Sequence, residues 1–359
     1  MTSVLAKHEA EGEGGGAMVG VVEVGEGRRT TKTWTRSCPW SFAAAATLLV
    51  GLAVVYRTAG DLATWSECLT VWPPMLWCVI LVPRLAVLAV RRRGRELAAS
   101  LGLLVLFLAI AMEWPRISFT RPADEAPGGR RIRVVSWNVA GRTPFGTMEA
   151  WAPDLCLLQE IGALSPKDLR GYWAGWQWVN GIDPGALSRW PVTRLPTRTV
   201  GPWTEPQVLR LDLPGGQRMV VVNVRLMLPA FVVAVAAFEK PSFAGLGEAH
   251  RQRLRQFAEL SALLRETLTQ EGTRTALLCG DFNTPGGSRS LEPLRAVVED
   301  VWPRAGQGWG ATMTEWMPVS RIDQCWATPD LRPLAARVVR GPSDHRALLV
   351  DVELPASPR

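Results

Sequence analysis

Two polar residues that directly follow a short apolar run have the types and the spacing to do chemistry. Residues 276–279 are apolar, as in a buried strand, and Gly280 ends the run. Asp281 and Asn283 follow two positions apart, so in an extended segment both side chains leave the same side of the backbone. The carboxylate can orient or deprotonate a water, and the amide can donate a hydrogen bond to a phosphoryl or acyl oxygen. Taken alone, the pair is more often an Asx-rich turn after a core strand, so the rest of the chain has to decide.

Two further predicted strands end on a polar side chain. Asn138 lies near the end of an alternating strand over residues 131–139, and Glu160 ends an apolar strand over residues 154–160. Each residue by itself is typical of a strand cap or a surface position. A glutamate at the end of an apolar strand is nevertheless costly to bury without a partner, and a bound cation is the simplest partner.

Candidate substrate contacts come from two other strands. Asn223 and Arg225 lie on one side of an interior strand predicted over residues 218–226. Arg189 follows a strand edge that begins at Gly185. We assign Asn223, Arg225 and Arg189 to substrate binding.

His345 is the histidine whose position suits a general acid or base. The other two histidines, His8 and His250, lie in the N-terminal tail and in a predicted helix. His345 follows Asp344 and precedes a predicted strand, although a turn histidine that caps a helix would have the same setting.

Together these residues form an ordered set of short motifs. In chain order the motifs are Trp137-Asn138, Gln159-Glu160, Gly280-Asp281-Phe282-Asn283, Arg321-Ile322-Asp323 and Ser343-Asp344-His345. The set resembles the motifs of the endonuclease/exonuclease/phosphatase superfamily, which includes pancreatic-type deoxyribonucleases, AP endonucleases, neutral sphingomyelinases and inositol polyphosphate 5-phosphatases. The resemblance spans residues 131–354, and the apolar runs before it resemble those of bacterial membrane-tethered members.

The resemblance implies an α/β fold and a metal site. The fold is a four-layer α/β sandwich, in which two mixed β-sheets lie face to face, helices flank them, and the site lies at one end. Glu160 is implied as a ligand of Mg²⁺, or alternatively of Mn²⁺, with Asn138 and Asp344 close by. Such side chains suit Mg²⁺, which prefers oxygen ligands at about 2.1 Å.

The resemblance also implies catalytic roles for four residues. Asp281 stands where family members orient the attacking water, and Asn283 where they support the phosphoryl oxygens. Asp323 stands where an aspartate pairs with the histidine at the position of His345. Such a pair would keep the imidazole in one tautomer and stabilise its cationic form.

Arg225 is a departure from the family pattern. Many members have Asn-x-His-Leu where this chain has Asn223-Val224-Arg225-Leu226. An arginine can hold a phosphate oxygen through two hydrogen bonds and stabilise charge, but it cannot act as a general acid near neutral pH. We therefore expect slow turnover or a substrate with a good leaving group. A phosphate-binding module without catalysis stays open as an alternative.

Three apolar runs predict a membrane domain over residues 38–116. They cover residues 41–56, 69–90 and 97–112, and each is long enough for a transmembrane helix, the first when tilted. Arg84 interrupts the second run and must reach the bilayer surface or face a neighbouring helix.

The segments around the membrane domain complete the predicted organisation. Residues 1–37 are rich in Gly and Glu and end in a basic stretch, which predicts a disordered tail. Residues 117–130 contain Pro, Gly and charged residues without periodicity, which predicts a linker. The predicted catalytic domain follows over residues 131–359.

Basic residues predict the orientation of the three spans. The basic stretch before the first run and the arginines of residues 91–95 should stay in the cytoplasm. Three spans then place the catalytic domain on the extracytoplasmic side of the cell membrane. The spans lack the discontinuous-helix pattern of transporters, so we do not expect transport.

Composition narrows the substrate only slightly. A net charge of +7 tolerates an anionic substrate but is too small to indicate nucleic-acid binding by itself. By family frequency we expect hydrolysis of a phosphodiester, with nucleic acid as the substrate and no protein partner. A phospholipid or phosphoinositide headgroup is the alternative, because the apolar residues 228–238 could contact a bilayer, although a core helix would explain them too.

The cysteines carry no pairing or metal-binding pattern. Cys156, Cys279 and Cys325 lie in apolar runs, and we expect them to be small core residues rather than disulfide partners.

Overall fold

The computed structural model describes residues 39–113, 129–142, 145–162, 173–179, 183–237 and 242–354. The predicted tail over residues 1–37 lies outside the described residues, as does the predicted linker up to residue 128. The described residues from Trp40 onward form one compact unit.

Helices make up the part of the chain that was predicted to lie in the membrane. They are α1 (Pro39–Arg57), α2 (Thr64–Thr70), α3 (Pro74–Trp77), α4 (Val82–Val90) and α5 (Gly94–Ala111), with a 3₁₀ turn at Cys78–Leu81. By length and composition, α1 and α5 could each cross a membrane. Residues 64–70 and 74–90 reach the same length and hydropathy only as a pair bent by 82°, so the number of possible crossings is two or three.

The second apolar run, over residues 69–90, is therefore interrupted and does not form one straight helix. The break falls at Pro73 and Pro74, because the residue before a proline is disfavoured in a helix and a proline lacks the backbone N–H that continues one. Arg84 faces neighbouring helices: its guanidinium donates hydrogen bonds to the Ser100 hydroxyl over 3.1 Å and the Ser41 hydroxyl over 2.6 Å.

The rest of the described chain alternates between strands and helices. The strands are β1 (Arg130–Asn138), β2 (Leu155–Gln159), β3 (Gln177–Val179), β4 (Gly185–Ser188), β5 (Val192–Arg194), β6 (Gln207–Leu213), β7 (Gln217–Arg225), β8 (Ala276–Asp281), β9 (Glu299–Asp300), β10 (Gly306–Gln307), β11 (Asp323–Ala327), β12 (Arg332–Val339) and β13 (Ala347–Leu354). The helices are α6 (Phe145–Glu149), α7 (Ala230–Ala236), α8 (Phe243–Glu271), α9 (Glu292–Arg295) and α10 (Val301–Ala305), with a 3₁₀ turn at Arg289–Leu291.

The strands form two mixed sheets. One has seven strands in the order β10-β12-β13-β1-β2-β4-β3, and the other has six in the order β5-β6-β7-β8-β11-β9. β1 and β2 are parallel in the first sheet, and β7 and β8 are parallel in the second. Each sheet thus has a parallel pair near its centre with antiparallel strands beside it.

Three buried clusters show that the fold is a layered sandwich. The first cluster joins side chains of both sheets, such as Leu157 of β2 and Leu277 of β8. The second packs the outer face of the six-stranded sheet against α8 through residues such as Phe257, and the third covers the seven-stranded sheet through Met148 of α6. The predicted fold class, two mixed sheets flanked by helices, is confirmed.

Two of the three core cysteines are paired, which corrects the prediction that they are free. Cys279 of β8 and Cys325 of β11 are directly opposite in the register and form a disulfide inside the sandwich, whereas Cys156 is buried and free. The pairing was hidden because the two cysteines lie 46 residues apart in the chain.

Candidate active site

Side chains that can do chemistry collect at one edge of the two sheets. β1, β2, β7 and β8 end at this edge, where they carry or precede Asn138, Glu160, Arg225 and Asp281. β11 runs antiparallel to β8 and begins opposite its end, so Asp323 pairs with Asp281 in the register. Because carboxyl ends of parallel strands meet amino ends of antiparallel neighbours, residues distant in sequence come together here.

Gly280 allows the close approach of the two central strands at this edge. Its φ is +144°, and a Cβ at this position would lie 1.9 Å from the carbonyl oxygen of Val224. Only glycine avoids this clash, so β8 passes close to β7 and places Asp281 in register with Arg225.

Asp281, Asp323 and His345 form the buried centre of the site. One ligand atom from each of the three side chains lies within 4.8 Å of the others. His345 Nδ1 is 2.8 Å from Asp323 Oδ2, which is the predicted pairing. Burial opposes the charged imidazolium, but the charge and hydrogen bond of Asp323 outweigh it and raise the pKa of His345 to about 10. The histidine is therefore a cation at neutral pH, with Nδ1 directed at Asp323.

Asp281 is the carboxylate whose proton affinity is most altered at the site. Burial, and then the charge of Asp323, raises the pKa of Asp281 to about 7, although His345 acts in the opposite direction. Asn138 Nδ2 donates to Asp281 Oδ2 over 3.1 Å and to Glu160 Oε1 over 3.0 Å. The Asn138 amide thus joins the buried centre to the glutamate at the end of β2.

Glu160 lies at the more accessible side of the site and is held by several neighbours. Its φ is +52°, a left-handed conformation that is uncommon for a residue with a side chain. Arg225 Nη2 lies 2.7 Å from Glu160 Oε1, and Arg225 Nη1 lies 3.2 Å from Asp183 Oδ2. Asp183 Oδ1 also accepts the Glu160 backbone N–H over 2.8 Å. Asp183 therefore orients the glutamate and the arginine together.

Sequence reasoning missed Asp183. It precedes β4, which runs antiparallel to β2 with Gly185 opposite Leu158, so the start of β4 lies beside the end of β2. A polar residue just before a strand can indicate a functional residue. Asp183 could be assigned to the site only once the pairing of β4 with β2 was known.

The site has the donors and the charge for one divalent cation. Glu160, Asp281 and Asp323 offer the carboxylate oxygens that hard cations prefer. Asp323 Oδ1 is buried and lacks a hydrogen-bond partner among the described residues, as a group reserved for a ligand would. The contacts at the site connect four carboxyl groups and only two basic side chains. They are Asp281, Asp323, Glu160 and Asp183, with Arg225 and His345. This donor set fits Mg²⁺.

Two other predicted residues lie at the site without a direct role in these contacts. Asn283 is nearly buried, has a φ of +47°, and donates from Nδ2 to the Leu226 carbonyl over 2.8 Å. Its support of phosphoryl oxygens stays a prediction. Asp344 is exposed and accepts a hydrogen bond from the Ser343 hydroxyl over 3.3 Å, so its metal contact also stays a prediction.

Asn223 and Arg189 are predicted substrate contacts that the structure does not bring together with the other site residues. The Asn223 side chain is fully buried, donating to the Gly185 carbonyl and accepting from Gln159, so it supports strand ends from within. Arg189 lies beside Asp154 at the start of β2. The site is at the other end of that strand, on the order of 20 Å away.

The fold and the side chains at the sheet edge together define a hydrolase of the α/β-sandwich class. The sequence profile of the Endonuclease/Exonuclease/phosphatase family matches residues 135–345, and the chain belongs to this family. Its members are hydrolases that act on phosphoesters and are generally dependent on divalent metals. Comparison with curated proteins gave no match.

Several solved structures are similar to this chain. An endonuclease/exonuclease/phosphatase from Bacteroides vulgatus is 15% identical, with a TM-score of 0.48, and the match covers 63% of this chain and 100% of that one. A family protein from Bacteroides thetaiotaomicron is 14% identical, with a TM-score of 0.49 and coverage of 64% and 100%. A mannosyl-6-phosphatase from Bacteroides thetaiotaomicron is 13% identical, with a TM-score of 0.46 and coverage of 62% and 99%.

Proposed function

We propose that this protein is a membrane-anchored, divalent-metal-dependent hydrolase that cleaves a phosphodiester by attack of an activated water. One observation carries the proposal: Asp281, Asp323 and His345 converge within 4.8 Å, and Asn138 links this cluster to Glu160. A phosphate-binding module would need the cations but not two buried carboxyl groups and a buried imidazole within 4.8 Å of one another, so catalysis is the better account of this arrangement.

The side chains divide the reaction between them. Asp281, whose pKa is raised to about 7, accepts the proton of the attacking water. His345, held as a cation by Asp323, donates a hydrogen bond from its other ring nitrogen to a phosphoryl oxygen. Mg²⁺, or alternatively Mn²⁺, held by Glu160 with Asn138 and Asp344 close by would neutralise charge on the phosphoryl group and polarise it.

Arg225 takes the place of a leaving-group acid without its proton chemistry. Its guanidinium is already turned into the site by Glu160 and Asp183, so it can stabilise charge on a phosphoryl oxygen. It stays protonated at neutral pH and cannot protonate a leaving group. The proposed substrate therefore has a leaving group that departs without strong acid assistance.

Contacts between the apolar helices and the catalytic domain support three membrane crossings. α1 and α5 both end at the domain: Asp61, just after α1, accepts the Ser290 backbone N–H over 3.0 Å, and Glu113, just after α5, lies 3.0 Å from Arg321. If both helices cross, the chain between them must return once to the far side. Residues 74–90 are the available segment, about 25 Å long as a helix against a hydrocarbon core of about 30 Å.

Two independent features support one side of the membrane for the catalytic domain. The basic residues of the α4–α5 turn, at the opposite ends of α4 and α5 from the catalytic domain, favour the cytoplasm. The disulfide between Cys279 and Cys325 is typical of an oxidising compartment. Both features support an extracytoplasmic catalytic domain on the cell membrane.

A lipid headgroup is the second candidate substrate beside nucleic acid, and α7 favours it. This helix follows Arg225, and Val233 and Val235 on it are half-exposed apolar side chains. Phe231 of α7 packs edge-to-face against Trp72, from the segment between α2 and α3, with ring centroids 6.2 Å apart. An apolar helix next to both the site and the membrane segment is suited to contact a bilayer surface.

A substrate panel on the full-length protein in nanodiscs tests the proposal. With Mg²⁺ we expect hydrolysis of bis-p-nitrophenyl phosphate, no hydrolysis with EDTA, and a loss of about 100-fold or more in Asp281→Asn. DNA, RNA and phospholipid vesicles run in parallel separate the two substrate classes. The proposal fails if the wild-type protein cleaves none of these substrates, or if Asp281→Asn cleaves them as fast as the wild type.

A further inference from the structure

A buried carboxylate from the membrane part of the chain reaches into the catalytic domain. Glu67 belongs to α2, between the first two apolar segments, and its side chain is only 4% exposed. Arg253 of α8 is equally buried, and its Nη1 donates to Glu67 Oε1. This ion pair joins residues 186 positions apart in the chain.

The other end of Arg253 holds the loop that carries Asn283. Arg253 Nη2 donates to the Asn283 carbonyl oxygen over 3.3 Å and also to the Thr284 hydroxyl. The same hydroxyl donates to the Phe282 carbonyl over 2.9 Å. One guanidinium therefore connects α2 to Asn283 and Thr284, in the loop that follows Asp281.

Glu67 is the carboxylate that compensates Arg253. Among the described residues, Arg253 has no other carboxylate within ion-pair distance. A buried guanidinium without a counter-charge turns toward water or toward other acceptors, and here such a movement would pull on the Asn283 carbonyl. The direction of the guanidinium thus depends on a residue outside the catalytic domain.

We infer that α2 completes the active site, with Glu67 as a positioning residue that acts through Arg253 to set the backbone of Asn283. This inference rests on the proposed function for its effect on turnover. It assigns to the segment between the first two apolar helices a role in catalysis beyond anchoring.

Asp61 provides a matched control in the same segment. It is also a buried carboxylate, and it accepts the backbone N–H groups of Arg289 over 2.9 Å and Ser290 over 3.0 Å. These contacts fasten the segment to the catalytic domain at the 3₁₀ turn, without touching Asn283. Asp61→Asn therefore weakens the docking, whereas Glu67→Gln weakens the docking and also releases the catalytic loop.

The kinetic test compares these two variants in full-length protein in nanodiscs, with bis-p-nitrophenyl phosphate and Mg²⁺. Glu67→Gln is expected to lower kcat about 10- to 100-fold, because a displaced active-site group costs that much, while KM stays within about twofold. Asp61→Asn is expected to lower the melting temperature and to keep the wild-type kcat. Equal kcat values for Glu67→Gln and wild type would overturn the inference, as would an equal loss in both variants.

Hydrogen exchange tests the same inference without any turnover. The backbone N–H of Asn283 donates to Asp281 Oδ1 over 2.9 Å, so the peptide over residues 281–285 reports the loop directly. We expect this peptide to exchange faster in Glu67→Gln and at the wild-type rate in Asp61→Asn. Arg253→Lys, which keeps the buried charge but cannot reach both partners, should exchange as Glu67→Gln does.

The two readouts separate the inference from the proposed function. If wild-type protein cleaves no substrate, the proposed function fails and the exchange data alone decide the inference. If residues 281–285 exchange at the wild-type rate in both Glu67→Gln and Arg253→Lys, the inference is wrong whatever the activity.

Discussion

The charged groups around Glu67 lead to a prediction about the stability of the protein. Arg253 pairs with one oxygen of Glu67, and His250 Nδ1 lies 3.0 Å from the other without the alignment of a hydrogen bond. Burial opposes the charged imidazole, but the close carboxylate of Glu67 outweighs it and raises the pKa of His250. The carboxylate of Glu67 thus faces a guanidinium and an imidazole, and its removal should cost more stability than the removal of either partner.

The loss of unfolding free energy in each variant follows from the burial of the charged side chains. Glu67→Gln leaves Arg253 buried without a counter-charge, which costs about 3–5 kcal/mol of unfolding free energy. Arg253→Met should cost less, because the imidazole of His250 stays beside Glu67. The double variant has neither the buried carboxylate nor the buried guanidinium, and it loses the hydrogen bonds of Arg253 to Asn283 and Thr284, about 1–2 kcal/mol together. The second substitution should therefore restore about 2 kcal/mol to Glu67→Gln.

Thermal unfolding of the full-length protein, followed by tryptophan fluorescence, measures this sign reversal. At about 2–4 °C per kcal/mol, Glu67→Gln should melt roughly 6–20 °C below wild type, and the double variant should melt about 4–8 °C above Glu67→Gln. A double variant that melts at or below Glu67→Gln would show that the two side chains do not compensate each other. The reasoning from buried charge would then be refuted.

Three further outcomes are expected. Arg225→Met should lower kcat/KM about 10- to 100-fold while reducing the Mg²⁺ concentration needed for half-maximal activity, because a cation no longer competes for the site carboxylates; an unchanged metal titration would contradict this. Burial opposes the charged form of Asp351, but the hydrogen bond and charge of Arg133 outweigh it and hold the pKa of Asp351 low. Its contribution, about 2 kcal/mol, is present above the unfolded pKa of about 3.9 and is lost as the pH falls through the lower folded value. The melting temperatures of wild type and Asp351→Asn should therefore differ at pH 7, and the difference should shrink as the pH falls below about 3.9. Thiol titration of denatured protein should find two more thiols after reduction than before if Cys279 and Cys325 are bonded, and equal counts if they are not.

The strands of the catalytic domain were largely predictable, because the apolar pattern that marks a strand lies within a few consecutive residues. β1, β2, β7 and β8 differ from prediction by at most two residues at either end. Polar residues after apolar runs marked the ends of these strands, which is why Asp281 and Glu160 could be proposed as partners. Parallel strands bring such ends to the same edge of a sheet.

Interpretations that depended on neighbouring strands did not follow from local patterns. Arg189 and Asp183 flank the same strand, β4, but only the antiparallel register with β2 places Asp183 at the site and Arg189 at the far end. Asn223 has the spacing of a functional residue, yet its neighbours Gln159 and Gly185 come from the other sheet and bury it. Packing between sheets therefore decided which polar residues face the cavity.

The sequence by itself determined the apolar runs of the membrane part, the order of the strands along the chain and the motifs that identify the family. Each of these features is a pattern of residues that are close together in the chain. Only the tertiary structure decided that Glu67 meets Arg253 and that Cys279 meets Cys325. These contacts depend on the packing of elements far apart in the chain. Burial then makes each partner depend on the other, since a charge removed from water is stable only beside its counter-charge.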